Sequence, residues 1–258
     1  MSDEDQSAPP SLTNAPADLR GLTLARVGLD RTGASITTRH ALEFSLAHAQ
    51  ARDAVHAALA VPSLLAELHM RNLAAVAVRS AVHDRTEYLL RPDLGRTLAP
   101  ASARLLQPTA RGQESATILT LILADGLSAL ATERHALHVV DALLPLLDVT
   151  CRLTPIVVAE QARVALGDSI GDALRSDATL MLIGERPGLS SPDSLGAYIT
   201  WSPRLGRTDA ERNCVSNIRI EGLEYAAAAH KIAWLLAEAR RLGLSGVALR
   251  ESGSALLP

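Results

Sequence analysis

Thr117-Ile-Leu-Thr-Leu-Ile-Leu-Ala124 decides the fold. A near-continuous apolar run of this length fits a strand covered on both faces, as in a parallel sheet. Asp125-Gly126 ends it, and Leu127 to about Leu147 reads as a helix. Further along, Leu153–Ala159 reads as the next strand and Arg163–Leu166 as a short extended piece. Asp168–Leu174 reads as a helix, Thr179–Ile183 as another apolar strand and Glu224–Leu242 as an Ala/Leu-rich helix. Strand alternating with helix implies an α/β domain with a mainly parallel sheet, right-handed crossovers and flanking helices.

Towards the N-terminus the pattern turns helical. Leu73–Ser80 is β-like, Pro62 to about Asn72 is helical, and Thr37 and Thr38 can cap a helix through Ala41, Leu42, Phe44, Ala49, Val55 and Leu59. Residues 21–110 thus read as a mainly helical N-terminal region and residues 111–258 as the α/β domain. Residues 1–20 are polar, carry Pro9, Pro10 and Pro16, and read as a flexible tail, with a docking or encapsulation tag as the alternative.

Composition narrows the function. The 258 residues carry a net charge of -3 and are 48% hydrophobic, which fits a globular protein and gives no electrostatic case for a nucleic-acid partner. Phe, Trp and Tyr together number six, so the core rests on Ala, Leu, Val and Ile, and base-stacking platforms are disfavoured. Cys151 and Cys214 form no CxxC pair and no disulfide framework. The acidic start lacks a secretory h-region and no apolar run approaches a membrane span, so a cytosolic location is expected.

Ligands of open parallel sheets bind beyond the carboxyl ends of the strands. Two such ends are rich in polar and glycine residues: Asp125-Gly126-Leu127-Ser128, and Gly184-Glu185-Arg186-Pro187-Gly188 with Ser190-Ser-Pro-Asp-Ser194. Gly184 and Gly188 permit close backbone approach, Pro187 stiffens the turn, and the serines with Pro192 can cap a helix. Glu185 offers a carboxylate acceptor beside them. A tight capped connection explains the same residues equally well. No GxGxxG, P-loop, GxSxG elbow or HExxH is present. His135 and His138 share a helical face, but such a pair is more often core or surface than metal ligand. His40 and His48 lie on the N-terminal helix, and His230, among alanines, reads as a helix-surface or packing residue. No complete catalytic set is visible, which favours a binding subunit over a self-contained enzyme.

Several separated blocks add up to a resemblance. They are Arg26-Val-Gly28 with Arg31-Thr-Gly33, His48-Ala-Gln-Ala-Arg-Asp-Ala-Val55, Arg91-Pro-Asp-Leu-Gly-Arg96 and Asp125-Gly-Leu-Ser128. They continue with Ala162-Arg-Val164, Gly167-Asp-Ser-Ile-Gly171, Gly184-Glu-Arg-Pro-Gly-Leu189, Ser194-Leu-Gly-Ala-Tyr198 and Asn213-Cys-Val-Ser-Asn217. In this order, over roughly Leu24 to Leu242, the chain resembles the small (light) subunit of ethanolamine ammonia-lyase. The resemblance implies a Rossmann-like fold that holds adenosylcobalamin at the interface with a large TIM-barrel subunit, in a hetero-oligomer that some bacteria enclose in a microcompartment. The implied reaction is Co–C homolysis, hydrogen abstraction, migration and release of acetaldehyde and ammonia, with the protein positioning and shielding the cofactor.

The resemblance also implies three cofactor-binding residues. They are Val164 of the Arg-Val segment, Glu185 of the Gly-Glu-Arg-Pro-Gly loop and Cys214 of the Asn-Cys-Val-Ser-Asn segment. Val164 would offer apolar surface and backbone groups, Glu185 would accept corrin amide N–H groups, and Cys214 would pack as a small soft residue. Without the resemblance, Val164 and Cys214 read as core residues. No Asp-x-His-x-x-Gly segment occurs, so the cofactor's own base is expected to stay on cobalt. Ala47 and Ala124 depart from residues common in the family, Asp and Ser, which puts a polar role for the Ala47 helix in question. Outside this resemblance, the glycine-rich loop after Ile183 leaves a stand-alone nucleotide- or flavin-binding module, or a purely structural subunit, as alternatives.

Overall fold

The computed structural model describes residues 29, 31–108 and 116–249; the expected tail and the Arg26-Val-Gly28 block lie outside the described residues. The chain forms two compact units, Met1–Gln50 and Ala51–Pro258. In the first, β1 (Arg31–Thr32) and β2 (Ser35–Ile36) pair antiparallel. The helix α1 (Thr38–His56) starts here and continues into the second unit.

The second unit follows as α2 (Val61–Met70), β3 (Ala75–Arg79), α3 (Arg85–Leu90), α4 (Pro100–Ala103) and β4 (Thr117–Ala124). A helix then runs as α5 (Ala129–Ala131), a π-helical turn (Thr132–Ala136) and α6 (Leu137–Leu143). Next come β5 (Cys151–Leu153), β6 (Ile156–Glu160), α7 (Leu166–Leu174), β7 (Ala178–Gly184), β8 (Leu195–Trp201), β9 (Arg212–Ile218) and α8 (Tyr225–Leu242). The seven-stranded sheet has the order β3-β6-β4-β7-β8-β9, with β5 also pairing β4. The strands β3, β6, β4 and β7 run parallel, β8 is antiparallel to β7, and β9, antiparallel to β8, runs in the direction of β7 again. The fold is therefore α/β, with a mixed, mostly parallel sheet and flanking helices.

The expected central strand lies at the centre. In β4, Leu119, Leu121 and Leu123 face one apolar layer with residues of α2, α6 and α8, while Ile122 and Ala124 face the other, with Leu166, Ile170 and Leu174 of α7. Each fully buried Leu or Ile contributes roughly 1.5–3 kcal/mol by leaving water. The β5 and β6 strands lie successively along one side of β4, separated by Thr154-Pro155, because proline cannot donate to the ladder.

Several expectations change. The strand β3, read within a mainly helical N-terminal region, is a member of the large sheet. Arg163–Leu166 is a turn entering α7, not an extended piece, since Leu166 N–H already bonds Arg163 O at 2.9 Å. The serine-rich segment before residue 195 caps no helix. It leads into β8, which pairs with β7 residue by residue from Gly184↔Leu195 to Ala178↔Trp201. Neither β8 nor β9 was read from the sequence.

Candidate functional site

The two loaded strand ends meet. Gly126 has φ +54, and a Cβ on it would lie 2.2 Å from Gly184 O; a Cβ on Gly184 would lie 2.0 Å from Ser128 O. Leu127 N–H donates to Gly184 O at 2.9 Å, and Ser128 Oγ donates to Pro192 O at 2.9 Å. The glycines therefore serve backbone-to-backbone packing of the β4 and β7 ends. In chain order β4, β6, β7 are neighbours as β6-β4-β7, so the crossovers reverse direction beside β4, where open α/β sheets bind ligands. At this switch the β4 and β7 ends pack backbone to backbone, and the exposed Cys214 and Ser216 lie on β9, two strands from β7.

Asp125 sits at this edge, 2% exposed. Its carboxylate accepts Gln161 N–H at 2.8 Å, Ala162 N–H at 3.0 Å and Arg85 Nη1 at 3.3 Å. Burial pushes its pKa up to about 6, against the opposing pull of the Ala162 amide and Arg85.

Glu185 follows β7 directly and ties three elements together. Its Oε2 accepts Ser194 Oγ at 2.5 Å and Asn217 N–H at 3.2 Å, and its Oε1 accepts Ser216 Oγ at 2.5 Å. Its own N–H bonds Ser194 O at 2.9 Å, closing the β7–β8 hairpin. Cys214 lies opposite Tyr198 in the β8–β9 register. Paired residues in an antiparallel ladder share a face. The Cys214 thiol hydrogen-bonds Tyr198, and burial followed by the nearby Cys214 and Glu185 raises the Tyr198 hydroxyl well above its ordinary range. Burial likewise raises the Cys214 thiol, although the residue as a whole is exposed. Gly196 completes the patch: a Cβ there would stand 3.0 Å from Glu185 Oε1 and 3.1 Å from Tyr198 Cε2.

Glu185 and Cys214 are thus brought together around Tyr198, which the sequence reading did not single out; its only signal was its place in the Ser194–Tyr198 block. Val164 stands apart from that group, in the turn before α7, half-buried against the apolar layer to which Tyr198 also packs. A second missed feature anchors the floor. Arg212 of β9 donates to both oxygens of Asp168 on α7, at 2.6 and 2.7 Å, with both side chains buried, and to Thr200 Oγ1 at 3.0 Å. Burial works against the Arg212 charge, but Asp168 and Asp209 together outweigh that and raise its pKa.

His135 has a packing role. The π-helical turn carries it between Tyr225 (Nδ1 to hydroxyl, 2.8 Å) and Asp193 (Nε2 to Oδ2, 3.3 Å), and burial lowers its pKa. His138 stacks on Tyr225 with centroids 5.1 Å apart. No group of three or more His, Cys, Asp or Glu among the described residues is arranged to hold a metal ion. A cavity of about 520 Å³ lies at the opposite, amino-terminal edge of the sheet, lined by Thr117, Ala178, Trp201 and Leu236 among others.

The family model for the ethanolamine ammonia-lyase light chain matches residues 13–250. The chain belongs to the ethanolamine ammonia-lyase light-chain family. It is 51% identical over 243 residues to the ethanolamine ammonia-lyase small subunit of Azotobacter vinelandii, covering 94% of this chain and 90% of the relative. To the subunit of the same name from Ralstonia nicotianae it is 48% identical over 254 residues, covering 98% and 94%. To that of Xanthomonas campestris pv. campestris it is 52% identical over 241 residues, covering 92% and 88%. Within this light-chain family member, Val164, Glu185 and Cys214 all lie on the carboxyl-edge turn before α7 or on the β7–β9 extension of the sheet.

Proposed function

We propose that the chain is the small subunit of an adenosylcobalamin-dependent ethanolamine ammonia-lyase, which converts ethanolamine to acetaldehyde and ammonia together with a large TIM-barrel subunit. In this reading its domain is Rossmann-like, and it presents Val164, Glu185 and Cys214 to the cofactor at the subunit interface. Family membership supports the enzyme; the β8–β9 face supports the cofactor role.

The single observation that carries the site is the acceptor state of Glu185. An ionised carboxylate has about four acceptor positions. Three are taken by Ser194, Ser216 and Asn217, two of them on Oε2 and one on Oε1. Oε1 therefore keeps one position for an outside N–H donor. Peripheral amides of a corrin are such donors. Cys214 and Ser216 are small and exposed, so together with Glu185 they offer a low surface for a broad ligand. These residues fit cobalamin.

When bound, the cofactor supplies the radical chemistry. This chain's residues orient and shield. Glu185 would accept a corrin amide while its bonds to Ser194, Ser216 and Asn217 hold it still, and Val164 and Cys214 would offer apolar contact, with Tyr198 packed opposite Cys214.

A nucleotide- or flavin-binding module was motivated by the glycines after Ile183. Gly184 backs onto Ser128 and Gly188 onto Ser191, which accounts for both without a phosphate. The test is reconstitution: the purified chain, the large subunit and adenosylcobalamin together give ethanolamine-dependent acetaldehyde, and neither chain alone does. Full activity from the large subunit alone would overturn the proposal.

A further inference from the structure

We infer that Asp125 is a positioning residue that sets the place of the Gln161–Val164 turn and, through it, of the Val164 surface offered to the cofactor; this rests on the cobalamin reading above. The turn does not hold itself. Gln161 N–H and Ala162 N–H both end on the Asp125 carboxylate, at 2.8 and 3.0 Å. Ala162 O accepts the Tyr88 hydroxyl at 2.9 Å, and Arg163 N–H donates to Gly95 O at 2.8 Å. Gln161 adopts φ 54, a left-handed conformation that a non-glycine residue keeps only when its surroundings enforce it.

The brackets around the turn are themselves braced. Arg85 donates to Asp125 Oδ2 and to Gln161 Oε1, both at 3.3 Å, and to Val55 O at 2.7 Å. Arg163 Nη2 donates to Tyr88 O at 3.0 Å. The Arg85 and Arg163 guanidiniums both lie over the Tyr88 ring, 4.5 and 4.1 Å from its centroid. Arg85 Nη2 and Arg163 Nε are buried without a hydrogen-bond partner. Burying polar groups unpaired costs stability, and it is tolerated here where cation and ring contacts fix the turn's surroundings.

The same tetrapeptide serves both cofactor-facing segments. Asp125 holds the Val164 turn, while Gly126 and Leu127 are locked against Gly184, immediately before Glu185. The Asp125–Ser128 segment is thus the rigid spacer between Val164 and Glu185.

The test compares Asp125→Asn, Tyr88→Phe and Glu185→Gln in the assembled complex, reading adenosylcobalamin affinity by absorbance titration and amide hydrogen exchange at Gln161 and Ala162. Asparagine keeps the size of Asp125 but offers one acceptor oxygen and turns donor groups towards Gln161, Ala162 or Arg85. Asp125→Asn is expected to speed exchange at Gln161 and Ala162 about tenfold and to weaken cofactor binding about tenfold. Tyr88→Phe keeps the ring under both guanidiniums and drops one bond to the turn, so it gives smaller changes of the same kind and serves if Asp125→Asn does not fold. Glu185→Gln weakens binding without touching exchange at Gln161 and Ala162. Unchanged exchange in Asp125→Asn, or faster exchange with wild-type affinity, overturns the inference while leaving the cobalamin reading intact. Wild-type affinity in all three variants overturns the cobalamin reading itself.

Discussion

Replacing Glu185 by glutamine separates its scaffold role from its ligand role. In the native side chain Oε2 serves Ser194 Oγ and the Asn217 amide, and Oε1 serves Ser216 Oγ alone. Glutamine can put its amide oxygen where Oε2 stands, because the Asn217 N–H cannot reverse its polarity. The amide NH₂ then occupies the Oε1 position, where the Ser216 hydroxyl can rotate and accept. All three internal bonds survive, in neutral form. Charge-assisted bonds are roughly twice as strong as neutral ones, so the stability cost is about 1 kcal/mol, or about 2–4 °C in Tm. The spare acceptor, by contrast, becomes a donor facing another donor. That costs about 1–3 kcal/mol of cofactor affinity, about five- to 150-fold. Glu185→Ala loses both roles at once. Absorbance titration of the assembled complex with adenosylcobalamin gives the affinities, and thermal unfolding gives the stabilities. Glutamine binding the cofactor as tightly as glutamate would refute the spare-acceptor argument, because nothing else in the substitution compensates for it.

Other predictions test the frame. In Gly184→Ala the new Cβ must retreat about 1.4 Å from Ser128 O to reach ordinary contact, against backbone that cannot yield locally, so stability falls by about 1–3 kcal/mol or more. Gly206→Ala, where a Cβ meets nothing and only φ +92 is strained, should cost about 1 kcal/mol or less by the same thermal measurement. Arg212→Met leaves Asp168 buried and unpaired and should cost about 3–5 kcal/mol, with part recovered in Asp168→Leu/Arg212→Met; a single variant as stable as wild type would contradict the buried pair. Glu211, held by the Thr208 amide and by Arg207, has its pKa lowered to about 2 from 4.5. Its depressed value means stability that is present above about 4.5 and is lost as pH falls towards about 2, so acid unfolding curves of wild type and Glu211→Gln should converge at low pH. Burial holds the Cys151 thiol up to about 11, so it should resist alkylation at neutral pH in the folded chain and react on unfolding.

What the sequence disclosed follows from where each strand lies. The β4 and β7 strands are buried on both faces, so their apolar runs are unbroken and unmistakable. In contrast, β9 is Arg-Asn-Cys-Val-Ser-Asn-Ile, with only Arg212, Val215 and Ile218 buried, because no helix covers its outer face. A strand half open to water is hard to tell from a loop by periodicity alone. The Ser190–Ser194 segment carries the chemistry of a helix N-cap, and local rules favour that reading. Pairing with β7 overrides it, and nothing local in the segment announces that pairing. The same holds for the site. Glu185 was legible as a carboxylate beside a turn, whereas its partners Ser216 and Asn217 are 31 and 32 residues away in sequence. Asp125 reaches its turn across 36 and 37 residues, and Arg212 reaches Asp168 across 44.

On the proposed function, the arrangement also explains why such a chain would hold a cofactor site without completing it. In a self-contained pocket the ligand would lie in the crevice beside β4, enclosed by loops from both sides. Here Gly126 and Gly184 bring the β4 and β7 ends into backbone contact, and two of the proposed contacts lie further out, at Glu185 after β7 and Cys214 on β9. There Cys214 and Ser216 are exposed side by side with Glu185, all on small or rigidly held residues. A flat, rigid face gives orientation at little entropic cost, but it excludes water only when another surface is laid against it. On the proposed function, shielding a radical would require a second body of protein, and the stiffness built into Asp125, Glu185 and the Asp168–Arg212 pair would be this chain's contribution to it. Removing that stiffness should loosen cofactor binding in the assembled enzyme before it affects anything in the large subunit.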